Sequence, residues 1–186
     1  MPKGGMPFMR KESRRMALCG MMVALGVAAM LLGGVIPLAT FCCPALAGLV
    51  LVPVLAEAGK KWTLCAYAAI AALSLMLSPD KESALLFAFL GYYPALKPVL
   101  DRLKRPLPRM AARLAVFNLA AGAMLLSAAF VFNMQAILRE YAAMGRLGIA
   151  VFIVLANLTL LIYDRLLGMM CVIYIRKLRP KLMRGA

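Results

Sequence analysis

Asp164 is the acidic residue placed most clearly inside a long apolar stretch. An ionisable group at such depth is costly and normally faces a bundle interior or a cavity. Asn157, seven positions earlier, shares its helical face, together with Leu161, Gly168 and Cys171. In the preceding apolar stretch Asn118, Gly122, Ala129 and Asn133 also fall on one face. If the two stripes meet, Asn118 and Asp164 belong to a polar seam. Read functionally, the seam is a ligand or ion site. Read structurally, Asp164 pairs with Arg165, Arg113 or Asn118 to hold helices together, and its place nearer the cytoplasmic end favours this second reading.

Catalytic constellations are absent. The chain has no histidine, so it can build no Ser-His-Asp or Cys-His triad and no H-E-x-x-H zinc site. Aspartyl chemistry needs two carboxylates sharing a proton, and Asp164 stands alone in its span. The five cysteines (Cys19, Cys42, Cys43, Cys65, Cys171) are scattered without zinc-ligand spacing and read as small packing residues. The expectation is a protein that is not an enzyme and uses no metal or cofactor. Candidate ligand contacts lie toward the other end of the spans: Asp80, Glu82, Tyr92, Asn133, Gln135 and Asn157, with Ser127 and the rings of Phe89 and Tyr93 nearby. Aromatic walls with a few polar groups suit a small-molecule pocket. The uncharged turn from Gly33 to Phe41 is placed to cover it.

The elements that must carry these residues follow from the alternation of apolar runs and charge. Of 186 residues 65% are apolar and the mean hydropathy is +0.89, against about 45–50% apolar in soluble domains. No charge appears between Met16 and Ala56. This stretch is too long for a signal-peptide core and about twice one bilayer crossing, and Gly33-Gly34-Val35-Ile36-Pro37 breaks it. An all-α integral membrane protein is therefore expected, a six-transmembrane-helix bundle over 16–175. Its helices fall at about 16–36, 44–58, 62–77, 83–98, 112–133 and 147–175, between a basic cytoplasmic segment 1–15 and a basic tail 176–186. Pro44 suits a first helical turn and Pro53 should kink the second helix. Trp62 is placed as an interfacial anchor. The short helix ending near Lys97 is expected either to let Lys97 snorkel to the interface or to be partly shielded by neighbouring helices, and Asp101 to Arg113, with Pro106 and Pro108, reads as a surface loop.

Charge fixes the orientation. There are 22 Lys+Arg against 7 Asp+Glu, a net +15, and they fall in clusters rather than along the groove-facing stripe of a nucleic-acid binder. With six crossings, 18 cations lie on one side: Lys3, Arg10, Lys11, Arg14 and Arg15; Lys60 and Lys61; the group from Lys97 to Arg113; and five in the tail. Lys81, Arg139 and Arg146 are the 3 on the other, with Arg165 intramembrane. Cytoplasmic loops are the cation-rich ones, which places both termini in the cytoplasm of a cell membrane. The loop at 101–113 would attract anionic headgroups or an acidic partner.

In the first helix Gly20, Ala24 and Ala28 recur every four residues, a smooth strip of the small-xxx-small type. Packing within the bundle is its default use, and docking another membrane subunit is the sharper one. The basic start Arg14-Arg15-Met16-Ala17-Leu18 and the pattern Ala24-Leu25-Gly26-Val27-Ala28, together with size and span number, resemble the substrate-binding S component of energy-coupling factor transporters. That family's Ala-x-x-x-Ala strip docks on its coupling subunit. The resemblance implies a pocket open to the outside, lined by helices 4 to 6 and the loop between helices 1 and 2. It also implies a transmembrane coupling protein and two ATPases as partners, beside the lipid bilayer and a small-molecule substrate; no nucleic acid is expected. The expected function is capture of a vitamin-like micronutrient for uptake. A non-transport scaffold or assembly protein is the competing class. A standalone transporter would show repeated halves, and none are evident.

Overall fold

The computed structural model describes residues 7–33, 40–102, 105–130 and 145–178, and every element among them is helical. In chain order these are α1 (Pro7–Gly33), α2 (Cys42–Glu57), α3 (Lys60–Leu77), α4 (Lys81–Leu90), α5 (Tyr93–Leu100), α6 (Pro106–Phe130) and α7 (Gly145–Ile173). A single π-helical turn, Tyr174–Leu178, extends α7.

Helix α2 is apolar on all sides, and such a helix must be surrounded. It packs against α1, α3, α4, α5 and α7. Its residues divide between two cores. Ala47, Leu51 and Val54 join Cys19, Met30, Ala66, Ile70 and Phe87 from α1, α3 and α4. Val52 faces the other way, to Tyr93, Leu100, Leu160 and Leu167 from α5 and α7. Close approach between helices leaves little room for a side chain at Gly26, Gly33 and Gly48. A Cβ on Gly26 would lie 2.6 Å from Ile70 Cδ1, and one on Gly48 would lie 2.0 Å from Tyr163 Oη.

The fourth apolar stretch is two helices rather than one. Asp80 starts α4 by accepting the N–H groups of Glu82 and Ser83 at 3.1 and 3.2 Å, which supplies acceptors for two otherwise orphaned donors. The helix stops at Gly91, where Phe87 folds over the backbone and an added Cβ would sit 2.6 Å from the Phe87 carbonyl oxygen. Pro94, which lacks an N–H, lies in the first turn of α5. At the break Tyr67 Oη, reaching from α3, donates to the carbonyl of Ala88.

Two boundaries depart from expectation for local reasons. The first helix starts at Pro7 rather than Met16, because the charged residues ahead of the apolar run have no helix breaker among them. Residues 106–113 are helical and not loop: Pro106 and Pro108 both fall in the first turn of α6, where a missing N–H removes no hydrogen bond. Pro53 lies inside α2, which continues to Glu57.

Five segments among the described residues are long and apolar enough to cross a membrane: Glu12–Gly33, Lys60–Leu77, Lys81–Leu100, Leu107–Ser127 and Leu147–Lys177. The 16 residues of α2 form a shorter apolar helix. The outer surface matches such a setting. Leu119, Leu126, Val154 and Ile162 are 74, 62, 66 and 55% exposed, and apolar surface this continuous is compatible with a membrane-embedded protein rather than with water.

Candidate functional site

The strongest concentration of polar chemistry lies where α5, α6 and α7 converge. On α5, Tyr93, Lys97 and the capping residue Asp101 are spaced four apart and therefore share one face. Asp164 on α7 meets that face and is 4% exposed. Tyr93 Oη donates to Asp164 Oδ1 at 2.8 Å. Lys97 Nζ donates to the same oxygen and, at 2.9 Å, to the main-chain carbonyl of Asp164. Arg113 on α6 closes the arrangement, one guanidinium nitrogen on Asp164 Oδ2 and the other on Asp101 Oδ1. Lys97 and Asp101 are 3.9 Å apart. The result is a ring of alternating charge, Lys97, Asp164, Arg113, Asp101, with two charges of each sign and a phenol as fifth member.

This ring makes the burial of Asp164 tolerable. A lone carboxylate in low dielectric is heavily penalised, whereas one that accepts from a phenol, an ammonium and a guanidinium has its desolvation offset by direct pairing. The ring opens at one side: the Asp101 side chain is 41% exposed, against 15% for Lys97 and 17% for Arg113. Arg113 Nε is buried without a hydrogen-bond partner among the described residues.

A second polar tier joins α6 to α7. Asn118 Nδ2 donates to Asn157 Oδ1 at 3.1 Å, and each amide nitrogen also donates to a carbonyl one turn back in its own helix, Leu114 and Ile153, both at 2.8 Å. The two stripes therefore meet as a seam. Asp164 pairs with Arg113, one of the three partners expected. It does not use Arg165, which is exposed, or Asn118, which takes Asn157. Of the two settings expected around Lys97, shielding by a neighbouring helix is the one found. Lys97 turns inward instead of snorkelling, because a buried carboxylate and a free carbonyl lone pair lie within its reach.

Searches against protein-family models, curated proteins and solved structures returned no match. The functional reading therefore rests on the chain's own geometry.

The remaining candidates are dispersed. Asp80 is engaged as the cap of α4, and Glu82 is half-buried in its first turn. Tyr92 lies at the α4–α5 break, edge-on to Tyr67 with ring centroids 6.1 Å apart. Ser127 Oγ donates to the Ala123 carbonyl at 2.8 Å. Asn133 and Gln135 lie outside the described residues, as does most of the turn from Gly33 to Phe41. Ser74 and Ser83 are fully buried with hydroxyls that have no partner among the described residues. Among the described residues no group of three or more His, Cys, Asp or Glu is arranged to hold a metal. All five cysteines are free thiols on helices; Cys19 and Cys43 are buried, and Cys42 and Cys65 are exposed.

Among the described residues the strip on α1 is exposed rather than covered. Gly20, Ala24 and Ala28 all face outward, and a Cβ on Gly20 would meet nothing within 4 Å. The glycines that α1 turns inward are Gly26, against Ile70, and Gly33, against Cys43.

Tyr93, Lys97 and Asp101 are the members of the ring that sequence alone does not pair with Asp164. Their signal was the four-residue spacing from Tyr93 through Lys97 to Asp101, which matters only once residues 93–101 are taken as one helical face.

Proposed function

We propose that the chain crosses a cell membrane six times with both termini in the cytoplasm, and acts as the substrate-binding subunit of an uptake system for a vitamin-like micronutrient. It takes its ligand from the extracytoplasmic side and performs no catalysis. The observation that carries this reading is the outward-facing strip Gly20, Ala24, Ala28: a small-residue surface that the bundle itself does not use is available to another membrane helix. Six crossings count α2, which at 16 residues is about 24 Å long. Its short reach is supported by its position among five other helices. If α2 did not cross, the N-terminal cations would lie opposite the clusters at Lys60–Lys61, at 97–113 and in the tail, against the usual enrichment of one face.

The partners in this reading are a transmembrane coupling protein and ATPase subunits. The test is to purify the tagged protein in mild detergent, identify the subunits that accompany it, and screen its thermal stability against vitamins and metabolites. ATPase partners together with a stabilising ligand support uptake. A second reading, a multi-pass scaffold or assembly protein, draws on the complete engagement of Asp164 by neighbouring helices. Co-purification of a membrane complex with no ATPase and no stabilising small molecule would favour it.

A further inference from the structure

Arg165 directly follows Asp164 in α7, yet the two side chains have opposite surroundings. Asp164 is buried and bound by Tyr93, Lys97 and Arg113. Arg165 is exposed and takes part in no ion pair among the described residues. The ring has no carboxylate to spare for it, because Lys97 and Arg113 already match Asp101 and Asp164 there. A guanidinium does not shed its proton to escape an apolar setting, so its charge has to be met by another group.

The setting of Arg165 is apolar. Val151, Val154, Leu158, Ile162, Met169 and Val172 are each at least 50% exposed. At 3.6 residues per turn they and Arg165 fall within an arc of about 80° on one side of α7. The buried Leu160, Asp164 and Leu167 lie on the other side. The apolar span Leu147–Lys177 is about 45 Å long at 1.5 Å per residue, with Arg165 about 18 Å from its Lys177 end. A hydrocarbon layer of about 30 Å therefore contains Arg165 wherever it falls along the span. Helical side chains lean toward the N-terminus of their helix. Arg165 is thus tilted away from the nearer end, against snorkelling out through it.

Acyl chains would cover the six apolar residues and leave the guanidinium unmet. A second copy of the chain, joined stripe to stripe about a two-fold axis along the membrane normal, would set Arg165 against its own symmetry mate, like charge against like. A helix of a different subunit, apolar apart from one carboxylate at the same depth, meets both requirements. We propose that the outer stripe of α7 docks such a helix, with its Asp or Glu held in paired hydrogen bonds by the fork of Arg165. Each charge is costly alone at that depth, so the pair also selects which helix binds and at what height. This contact is separate from the strip on α1. It needs only that α7 lies in a bilayer, and it holds for an uptake subunit and a scaffold alike.

The test uses the purified full chain, carrying a donor fluorophore and reconstituted in phosphatidylcholine vesicles. Synthetic transmembrane peptides of leucine and alanine carry the acceptor, with Asp, Lys or Leu at their centre. Energy transfer should show the Asp peptide bound roughly tenfold more tightly than the Leu peptide, the size of one polar contact between helices in a bilayer. The Lys peptide should bind no more tightly than the Leu peptide. Arg165→Leu should erase the preference, and Arg165→Asp should turn it toward the Lys peptide. Both variants change an exposed side chain outside the ring, so circular dichroism should match the parent. Equal affinity for the three peptides, a preference for Asp that survives in Arg165→Leu, or an Arg165→Asp chain that ignores the Lys peptide would each overturn the docking of a carboxylate at Arg165.

Discussion

Lys97 and Asp164, 67 positions apart in the chain, are joined twice: the Lys97 ammonium binds both the carboxylate and the main-chain carbonyl of Asp164. The double contact ties α5 to α7 through side chain and backbone together. It leaves Arg113 to connect the same carboxylate to α6. Three helices are thus fixed at one depth by a group that would be prohibitively costly alone.

Breaking the ring should cost more than dismantling it. Asp164→Asn leaves the partly buried Lys97 and Arg113 to share Asp101 alone, and a loss of up to about 3 kcal/mol is expected from a partly compensated charge. Lys97→Met combined with Asp164→Asn should cost less than the sum of the single changes, with a coupling energy of at least about 1 kcal/mol. Unfolding of the purified protein in mixed detergent micelles measures all three. Additive losses would show that the pair does not interact.

Two glycines should respond oppositely to the same change. Gly91→Ala drives a methyl group against the Phe87 carbonyl oxygen, which belongs to helix backbone and cannot swing aside. A loss of about 1–3 kcal/mol is expected from overpacking. Gly20→Ala meets open space inside α1 and should stabilise by about 0.5–1 kcal/mol, because alanine is the better helix former. Thermal unfolding of the two variants side by side checks the contrast.

At Gly48 the neighbour is a side chain, which makes the effect reversible by design. Gly48→Ala collides with the Tyr163 hydroxyl and should destabilise the contact between α2 and α7. Adding Tyr163→Phe removes the colliding oxygen and should restore part of the loss, leaving the ring carbon at 3.3 Å as a tight contact. No recovery in the double variant would mean that the clash lies elsewhere.

The outward strip of α1 is tested by bulk. Ala24→Leu with Ala28→Leu should abolish binding of a membrane partner while leaving thermal stability within about 0.5 kcal/mol, because both residues are exposed. Affinity purification before and after substitution reads the first effect and thermal unfolding the second. Retained partner binding would remove the strip from the account.

Helical spans were legible because they rest on long-range regularities: uncharged runs, clustered cations and Trp62 at the start of α3. The cost of Asp164 was legible from its surroundings in the chain. Its main partner was not. Lys97 lies near the end of a short apolar run, where snorkelling and inward pairing look alike until α7 is placed beside α5. The same limit applies to prolines: Pro106 and Pro108 mark either a loop or the first turn of a helix, and hydrogen bonding decides between them. The break at Gly91 arises from Phe87 folding back over the chain, a contact that periodicity does not encode. For the α1 strip, small residues look the same whether they face a neighbour or open space.

The claim on which the account depends is the course of the chain through the bilayer. It is tested most directly by impermeant thiol labelling of intact cells. Single cysteines are placed at Lys61, Lys81 and Arg105 in a background lacking the five native ones. Six crossings predict that Lys81→Cys reacts from outside and that Lys61→Cys and Arg105→Cys react only after the membrane is permeabilised. Labelling of Lys61→Cys and Arg105→Cys from opposite faces would contradict it.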